Sequence, residues 1–398
     1  MYLTLLLCIY NKLNVIFKKI MQYGSYKIIK FNDEEVRAYI PLNLETALQY
    51  INIDSNRISR VSHVLGKLDA ICDILSEPNL FIYLYVRKEA LLSSQIEGTQ
   101  SSLIDVFSYE NYKFSSTPIY DVEEVTNYIK ALNKGLSILD NNELPLCNRL
   151  LRNLHEVLMQ GVRGESKSPG EFRKSQNWIG GTRPGNAIFV PPPPEYVDEL
   201  MGNLEKFIHE KTNISSLIKI ALLHAQFETI HPFLDGNGRL GRLFITLLLH
   251  EYKIIKAPIL YLSYYLKSKQ SEYYRYLQNF RKSQDGVVEW INFFLDALEY
   301  SANDAFAKAI KLEKLIKTDM VNLKARGNGY KIAVNIFSLM KNQPIVSMPD
   351  LAQKLGVTLH TIIRAVRQLE NLGLVQEITD KKSNRLYSYK KYIHLLSE

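Results

Sequence analysis

Between Ser215 and Tyr252 the chain is committed to a helix, a forced break and a second helix, and no other stretch constrains the fold so tightly. Ser215–Ile230 and Arg239–Tyr252 both carry apolar residues at helical spacing. The residues between them, His231-Pro232-Phe233-Leu234-Asp235-Gly236-Asn237-Gly238, cannot continue the first helix. Pro232 has no N–H, and its ring excludes helical backbone at His231. Ser215–Ile230 is therefore expected to be an amphipathic helix that stops near Ile230 and presents His231 on a loop. A neutral imidazole placed there can accept a hydroxyl proton near pH 7.

The rest of the loop suits phosphate chemistry. Asp235 is a lone carboxylate, which matches magnesium, an ion that takes one or two carboxylates and leaves the remaining positions to phosphates and water. Gly236, Asn237 and Gly238 can take positive φ and turn successive N–H groups inward as an anion nest. The next helix adds its positive dipole end. Arg239 and Arg242 then share a face in its first turn, where cations are disfavoured unless an anion offsets them. No Gly-Lys-Ser/Thr follows and no apolar strand leads in, so this is not a Walker A loop. Phe233 reads as the apolar anchor of the loop. The plain alternative is an ordinary Asp-Gly-Asn-Gly turn, which the flanking His231, Arg239 and Arg242 argue against.

A length of 398 residues, 46% hydrophobic and 23% charged, allows two or three soluble globular domains. A net charge of +8 leaves room for a polyanion partner without requiring one. Cys8, Cys72 and Cys147 are sparse and odd in number, which gives neither a disulfide framework nor a zinc pattern and suits a reducing, cytoplasmic setting. The apolar run Leu3–Tyr10 follows no basic segment and is too short to span a bilayer, so residues 1–34 are read as a leader, or as an over-extended start with translation beginning at Met21. No membrane association is expected.

Helical patterns also cover Ile58–Leu75, Phe81–Ile96, Val122–Leu139, Leu146–Gln160 and Tyr196–Lys211. They are interrupted from Gly161 to Pro194, a stretch rich in Gly and Pro. There Trp178-Ile179 and Ala187–Val190 are expected to form a short β-hairpin around Arg183-Pro184-Gly185-Asn186. The exposed backbone of that flap, from Gly180 to Val190, could pair with an extended partner segment; it could equally just cover the core. Ser93-Ser94-Gln95-Ile96-Glu97-Gly98 closes the Phe81–Ile96 helix. Glu97 falls in the last turn, where the dipole disfavours an anion, so a cation from elsewhere is expected to meet it. Beyond Gly327, a helix over Tyr330–Met340, a helix-turn-helix over Pro349–Leu355, Gly356 and Thr358–Asn371, and strands Val375–Thr379 and Arg385–Tyr389 read as a winged helix-turn-helix. His360, Thr361, Arg364, Arg367 and Gln368 are expected to face outward, with Lys381, Lys382 and Arg385 on the wing. DNA binding and a protein-contact or dimerising role, as in a homodimer, stay equally open. His224 is expected to pack rather than react. His63, His155, His209, His250 and His394 receive no role.

His231–Arg242 resembles the Fic signature, His-x-Phe-x-Asp/Glu-Gly-Asn-Gly-Arg-x-x-Arg, at every fixed position. Pro169–Arg173 leading to Trp178–Gly181 is similar to the segment entering the Fic flap. The resemblance covers roughly residues 35 to 325 and implies a mainly α fold: a Fic-type helical bundle with a β-hairpin flap, followed by the C-terminal winged helix-turn-helix. Expected limits are 35–114 for an N-terminal helical region, 115–325 for the catalytic domain and 327–398 for the winged helix. The resemblance further implies transfer of AMP from ATP to a Ser, Thr or Tyr hydroxyl of a protein. His231 would be the base and Asp235 would hold Mg2+. Gly236, Asn237 and Gly238 would cradle phosphates, and Arg239 and Arg242 would grip the outer ones. Ile179, Gly180, Gly181, Ile188 and Phe189 would dock the target. Gly238, where the Doc-like branch has lysine, favours nucleotidyl over phosphoryl transfer. Ser93, Glu97 and Gly98 resemble the family's inhibitory motif, in which the glutamate pairs with the second arginine, here Arg242, and blocks productive ATP binding. Removal of AMP with Glu97 orienting a water, or both directions on one site, is the alternative. With 25 tyrosines, self-modification sites are too many to name.

Overall fold

The computed structural model describes residues 24–31, 34–48, 51–379 and 385–397. Residues 1–23 of the leader expected over 1–34, with Met21, and Lys381 and Lys382 of the wing lie outside the described residues. The elements begin with strands β1 (Gly24–Phe31) and β2 (Glu34–Pro41). Helices follow: α1 (Leu44–Leu48), α2 (Ser55–Asp69), α3 (Ile71–Ile74), α4 (Pro78–Ile96), α5 (Leu103–Tyr112), α6 (Ile119–Asp140) and α7 (Asn148–Met159). After the Gly/Pro-rich break come α8 (Val197–His209), α9 (Ser216–Ile230), α10 (Asn237–Glu251), α11 (Ser263–Ser268), α12 (Gln270–Phe280) and α13 (Gln284–Lys324). The chain ends with α14 (Lys331–Asn342), β3 (Ile345–Ser347), α15 (Met348–Leu355), α16 (Leu359–Asn371), β4 (Val375–Glu377), β5 (Leu386–Tyr389) and α17 (Lys390–Ser397).

Two compact units emerge, each assembled from separated stretches of chain. One gathers residues up to His63, Lys130–Ile254 and Tyr265–Tyr300; the other gathers Val64–Ile129, Ile255–Tyr264 and the residues from Ser301 onward. These limits do not follow the boundaries expected after residue 114 and near residue 326.

The first unit is built around α9. Every residue from Leu217 to Ile230 is buried. A helix covered on all sides is a core helix rather than a half-wetted one, which corrects the amphipathic expectation. The Ser215 hydroxyl caps it by accepting the Leu217 N–H at 3.3 Å. It packs on α8, α10, α12 and β2.

The hairpin β1–β2 was not foreseen: part of the expected leader and the start of the expected helical region pair from Gly24 opposite Pro41 to Phe31 opposite Glu34. Val36 and Ala38 of β2 are buried on either side of exposed Arg37, and Tyr39 is buried as well. Beyond it, the flap is a hairpin reduced to a single bridge, Ile179 opposite Phe189, closed by a 3-10 turn over Pro184–Asn186. The N-terminal hairpin braces this flap. Tyr39 donates its N–H to the Val190 carbonyl at 3.0 Å. Phe31 meets Trp178 edge-on at 5.9 Å, and Glu34 pairs with Arg183.

In the second unit α4 holds Leu80, Phe81, Leu84, Tyr85 and Ala90 inside. The Tyr85 hydroxyl donates to the Ala305 carbonyl at 2.8 Å, and Glu89 accepts the Ser263 N–H at 2.9 Å. The C-terminal elements close a three-stranded antiparallel sheet in the order β3-β5-β4. Strand β3 and helix α17 were not anticipated. Ile362, Ala365, Val366 and Leu369 give α16 its inner stripe. Gly356, at φ 63°, makes the left-handed turn between α15 and α16. Tyr112 on α5 locks this region to the rest of its unit: its hydroxyl accepts the Ser347 N–H at 2.9 Å and donates to Asp350 at 3.0 Å. Among the described residues no helix is long and apolar enough to cross a membrane.

Candidate active site

The α9–α10 junction is held open by backbone geometry. His231 caps α9 in the left-handed region, at φ 50° and ψ 61°, with its N–H still bonded to the Phe227 carbonyl at 2.9 Å. His231 thus leaves right-handed helical backbone ahead of Pro232, and the helix stops at Ile230 as expected. Gly236 takes φ 75° and caps α10, whereas Asn237 and Gly238 already belong to that helix's first turn. The expected nest of three residues is thus one left-handed glycine followed by open first-turn N–H groups, which are an anion site in their own right.

Asn237 is 1% exposed, and both ends of its carboxamide are committed to Phe233: Oδ1 accepts the Phe233 N–H at 2.9 Å and Nδ2 donates to the Phe233 carbonyl at 2.8 Å. Its side chain closes the loop, and Asn177 adds a second donor to the same carbonyl at 3.0 Å. Phe233 itself is fully buried, as expected of an anchor. Asp235 remains 46% exposed; its Oδ1 accepts the Gly236 N–H at 2.6 Å and lies 3.7 Å from the Arg239 guanidinium. Arg239 and Arg242 are 4% and 2% exposed, so both cations are buried at the positive end of α10.

His231 keeps 20% of its side chain accessible, with Nδ1 4.0 Å from the Glu228 carboxylate. Burial, and then the nearby cations Arg173 and Arg281, push its pKa down to about 3. The ring is therefore neutral at pH 7, the state a base requires. Arg173, which the sequence placed only in the approach to the flap, sits under the junction. Its Nε donates to the His231 carbonyl at 2.9 Å and its Nη2 to those of Pro192 and Ile230. Its own N–H donates to the Pro232 carbonyl at 2.9 Å. Burial lowers its pKa to about 10, which leaves it charged. Arg281 stacks over flap residue Phe189 at 3.6 Å and donates to Thr229 Oγ1 at 3.2 Å. His224 is packed: Nδ1 donates to the Gly241 carbonyl at 3.0 Å, and Nε2 accepts from Tyr273 at 2.9 Å.

On the flap, Gly180 and Gly181 are exposed at φ 69° and 73°. Ile188 is 66% exposed, whereas Phe189 turns inward to the Tyr39 ring. In the second unit, Ser93 is fully buried. Glu97 is the C-cap of α4, and Gly98 follows at φ 100°. On α16, His360, Arg364 and Arg367 are exposed; Gln368 instead donates to the Gly329 carbonyl at 3.2 Å, and Arg385 pairs with Glu377 at 3.3 Å.

Residues 55–137 match the family model described as Fic/DOC family N-terminal, and residues 145–249 the model described as Fic/DOC family. A probable protein adenylyltransferase of Aquifex aeolicus is 25% identical over 215 residues, covering 52% of this chain and 59% of that protein. The protein adenylyltransferase Fic of Drosophila erecta is 31% identical over 135 residues, covering 33% of this chain and 24% of that protein. The chain thus spans less than two thirds of the length of either curated relative. Among solved structures, a Fic family protein from Desulfovibrio desulfuricans shares the fold with a TM-score of 0.55 and 21% identity, over 85% of this chain and 97% of that one.

Proposed function

We infer that this chain, a Fic-family protein, transfers AMP from ATP to a hydroxyl side chain of a protein. One observation carries the reading: a neutral imidazole, an exposed carboxylate, a helix N-terminus and two buried arginines converge on the loop His231–Arg242. A helix N-terminus flanked by two arginines favours an anion, and a polyphosphate suits such a site. The target hydroxyl oxygen attacks the α-phosphorus as the bond from that phosphorus to the α–β bridging oxygen breaks. Pyrophosphate leaves, and His231 takes the hydroxyl proton. First-turn N–H groups beyond Gly236, including that of Gly238, stabilise charge on the phosphates, with Asn237 keeping the loop in shape. Arg239 and Arg242 hold the outer phosphates.

Magnesium fits this site through Asp235 alone. Among the described residues no group of three or more His, Cys, Asp or Glu side chains could hold a metal, and a single exposed carboxylate suits an ion shared with phosphates. When bound, Mg2+ would offset phosphate charge.

Glu97 is read as the inhibitory glutamate, competing through Arg242 for the γ-phosphate position; Ser93 and Gly98 complete its motif. The support is its place at the end of a buried helix that finishes in a left-handed glycine. Flap residues Ile179, Gly180, Gly181, Ile188 and Phe189 are read as the rail on which an extended target segment lies. The reading is tested by intact mass after Glu97→Gly protein is incubated with ATP. A gain of one AMP supports it, whereas a gain of phosphate, or no gain, removes it. Loss of AMP from a pre-modified target would instead favour the reverse activity.

The C-terminal elements are read as a winged helix-turn-helix. Exposure of His360, Arg364 and Arg367 on one helix favours contact with a polyanion such as DNA. A mobility shift on random duplex at low salt tests this, and its absence makes the region a protein-contact module.

A further inference from the structure

The loop that carries Asp235 rests on a residue that the signature does not contain. His155, on α7, is 1% exposed and lies 80 positions before Asp235. Its ring stacks flat on Phe233, with centroids 3.8 Å apart and planes at 11°. Nδ1 accepts the Gly170 N–H at 2.9 Å, and Nε2 lies 3.0 Å from the Asp235 carbonyl oxygen. An amide N–H can only donate and a carbonyl can only accept, so the two bonds together fix one neutral tautomer, with the proton on Nε2. The next residue closes down on the same ring: a Cβ on Gly236 would lie 3.3 Å from His155 Nε2 and 2.6 Å from Met159 Sδ. Met159, one turn further along α7, also accepts from Arg239 Nη2 at 3.6 Å. On the far side, Arg152 Nε holds the Gly170 carbonyl at 2.7 Å. Gly170 is thus held at both its N–H and its carbonyl by α7, and His155 links it to the loop.

We propose that His155 is a positioning residue: it sets the height of the Phe233–Gly236 segment, and so places the Asp235 carboxylate and the N-terminus of α10 against the nucleotide phosphates. This rests on the adenylyl-transfer reading for its kinetic consequence, though not for its structural one. The stack fixes the segment laterally. The Nε2–H to Asp235 bond holds it at a second point. A displacement of the order of 1 Å in such a scaffold costs up to about a hundredfold in rate.

The test uses the full chain in the Glu97→Gly background with three substitutions. His155→Phe keeps the stack and removes both hydrogen bonds. His155→Gln can still donate to Asp235. His155→Asn can still accept from Gly170. Two measurements are made on each: AMP incorporation by intact mass over a range of ATP and Mg2+ concentrations, and hydrogen exchange of peptides covering residues 231–240. His155→Phe is expected to lower kcat by about tenfold or more. It should speed exchange in 231–240 by about tenfold, with α9 unchanged. His155→Gln should recover most of both effects and His155→Asn little of either. If His155→Phe exchanges and turns over like its parent, or if Asn rescues as well as Gln, the proposal is overturned. Should His155→Phe fail to fold, the Gln and Asn comparison decides alone. A Glu97→Gly parent that gains no AMP removes the transfer reading, and the exchange data then decide the role of His155 by themselves.

Discussion

His231 occupies a left-handed backbone position, and that shapes how its role should be tested. Any residue with a Cβ is strained by about 1 kcal/mol or more at φ 50°, and histidine tolerates that region better than alanine does. His231→Ala would therefore confound lost chemistry with a strained junction. Asparagine accepts the left-handed region and has no basic nitrogen. His231→Asn is expected to melt within a few degrees of the parent and to lose about 10²- to 10⁴-fold in AMP transfer, read by intact mass in the Glu97→Gly background. Retained transfer would remove His231 as the base. At Gly236 backbone and neighbours agree: φ is 75°, and a Cβ would fall 2.6 Å from Met159 Sδ. Gly236→Ala should cost about 1–2 kcal/mol, seen as a lowered denaturant midpoint at unchanged slope. It should also weaken ATP binding in calorimetry, since the cap opens the first-turn N–H groups. A stability matching the parent would mean the glycine is not required there. These residues were legible because their identities carry the chemistry within one short window. Arg173 and His155 were not, because their partners lie far along the chain. The only trace of His155 was a histidine on the otherwise apolar stripe of Leu150, Leu151, Leu154 and Leu158.

Among the elements, the long helices were readable because 3.6-residue periodicity accumulates over several turns, as in α7 and α8. The error at α9 had a physical source. Lys219, His224, Gln226, Glu228 and Thr229 imitate a polar face, yet each is buried. Lys219, for example, donates to the Ile208 carbonyl at 3.0 Å, so its charge is satisfied inside. Strands of three residues such as β3 carry too few alternations to register. The hairpin β1–β2 was missed because β1 lay in a stretch read as leader and β2 at the start of one read as helical. Helix α4 bears the prediction at this scale. Its end is formed by Glu97 at φ −87° and Gly98 at φ 100°, with the Glu97 N–H on the Ser94 carbonyl at 3.0 Å. Glycine is tolerated at such a cap, so Glu97→Gly changes the carboxylate with little effect on the helix. Label from α-labelled ATP is expected to rise about tenfold or more over the unmodified chain, since removing one charged competitor for a phosphate site is worth about 1.4 kcal/mol or more. Equal labelling of the two proteins would end the autoinhibition reading.

Over the whole molecule, sequence order misleads about which segments belong together. Tyr112 and Asp350, 238 positions apart, meet at 3.0 Å within one unit, and no local pattern announces such a bond. Distant segments converging in this way also bury titratable groups that would otherwise be wet. In the first unit His155 and His224 are 1% and 0% exposed, and burial drives their pKa values down to about 4 and about 3. Unfolded, both return to about 6.5. Between those limits the unfolded chain binds more protons than the folded one, so stability rises with pH there and falls as pH is lowered from about 6.5 towards 4. At pH 5 each histidine removes about 2 kcal/mol relative to neutral pH, and unfolding of this unit should take up about two protons from these two groups. Melting at pH 7, 6 and 5 in buffers of differing ionisation enthalpy measures the uptake directly. His155→Phe has one such group fewer, so its uptake at pH 5 should drop by about one proton and its melting temperature should depend less steeply on acid. If the variant and parent show the same uptake, the acid sensitivity belongs to other groups, and His155 is not held neutral by the fold.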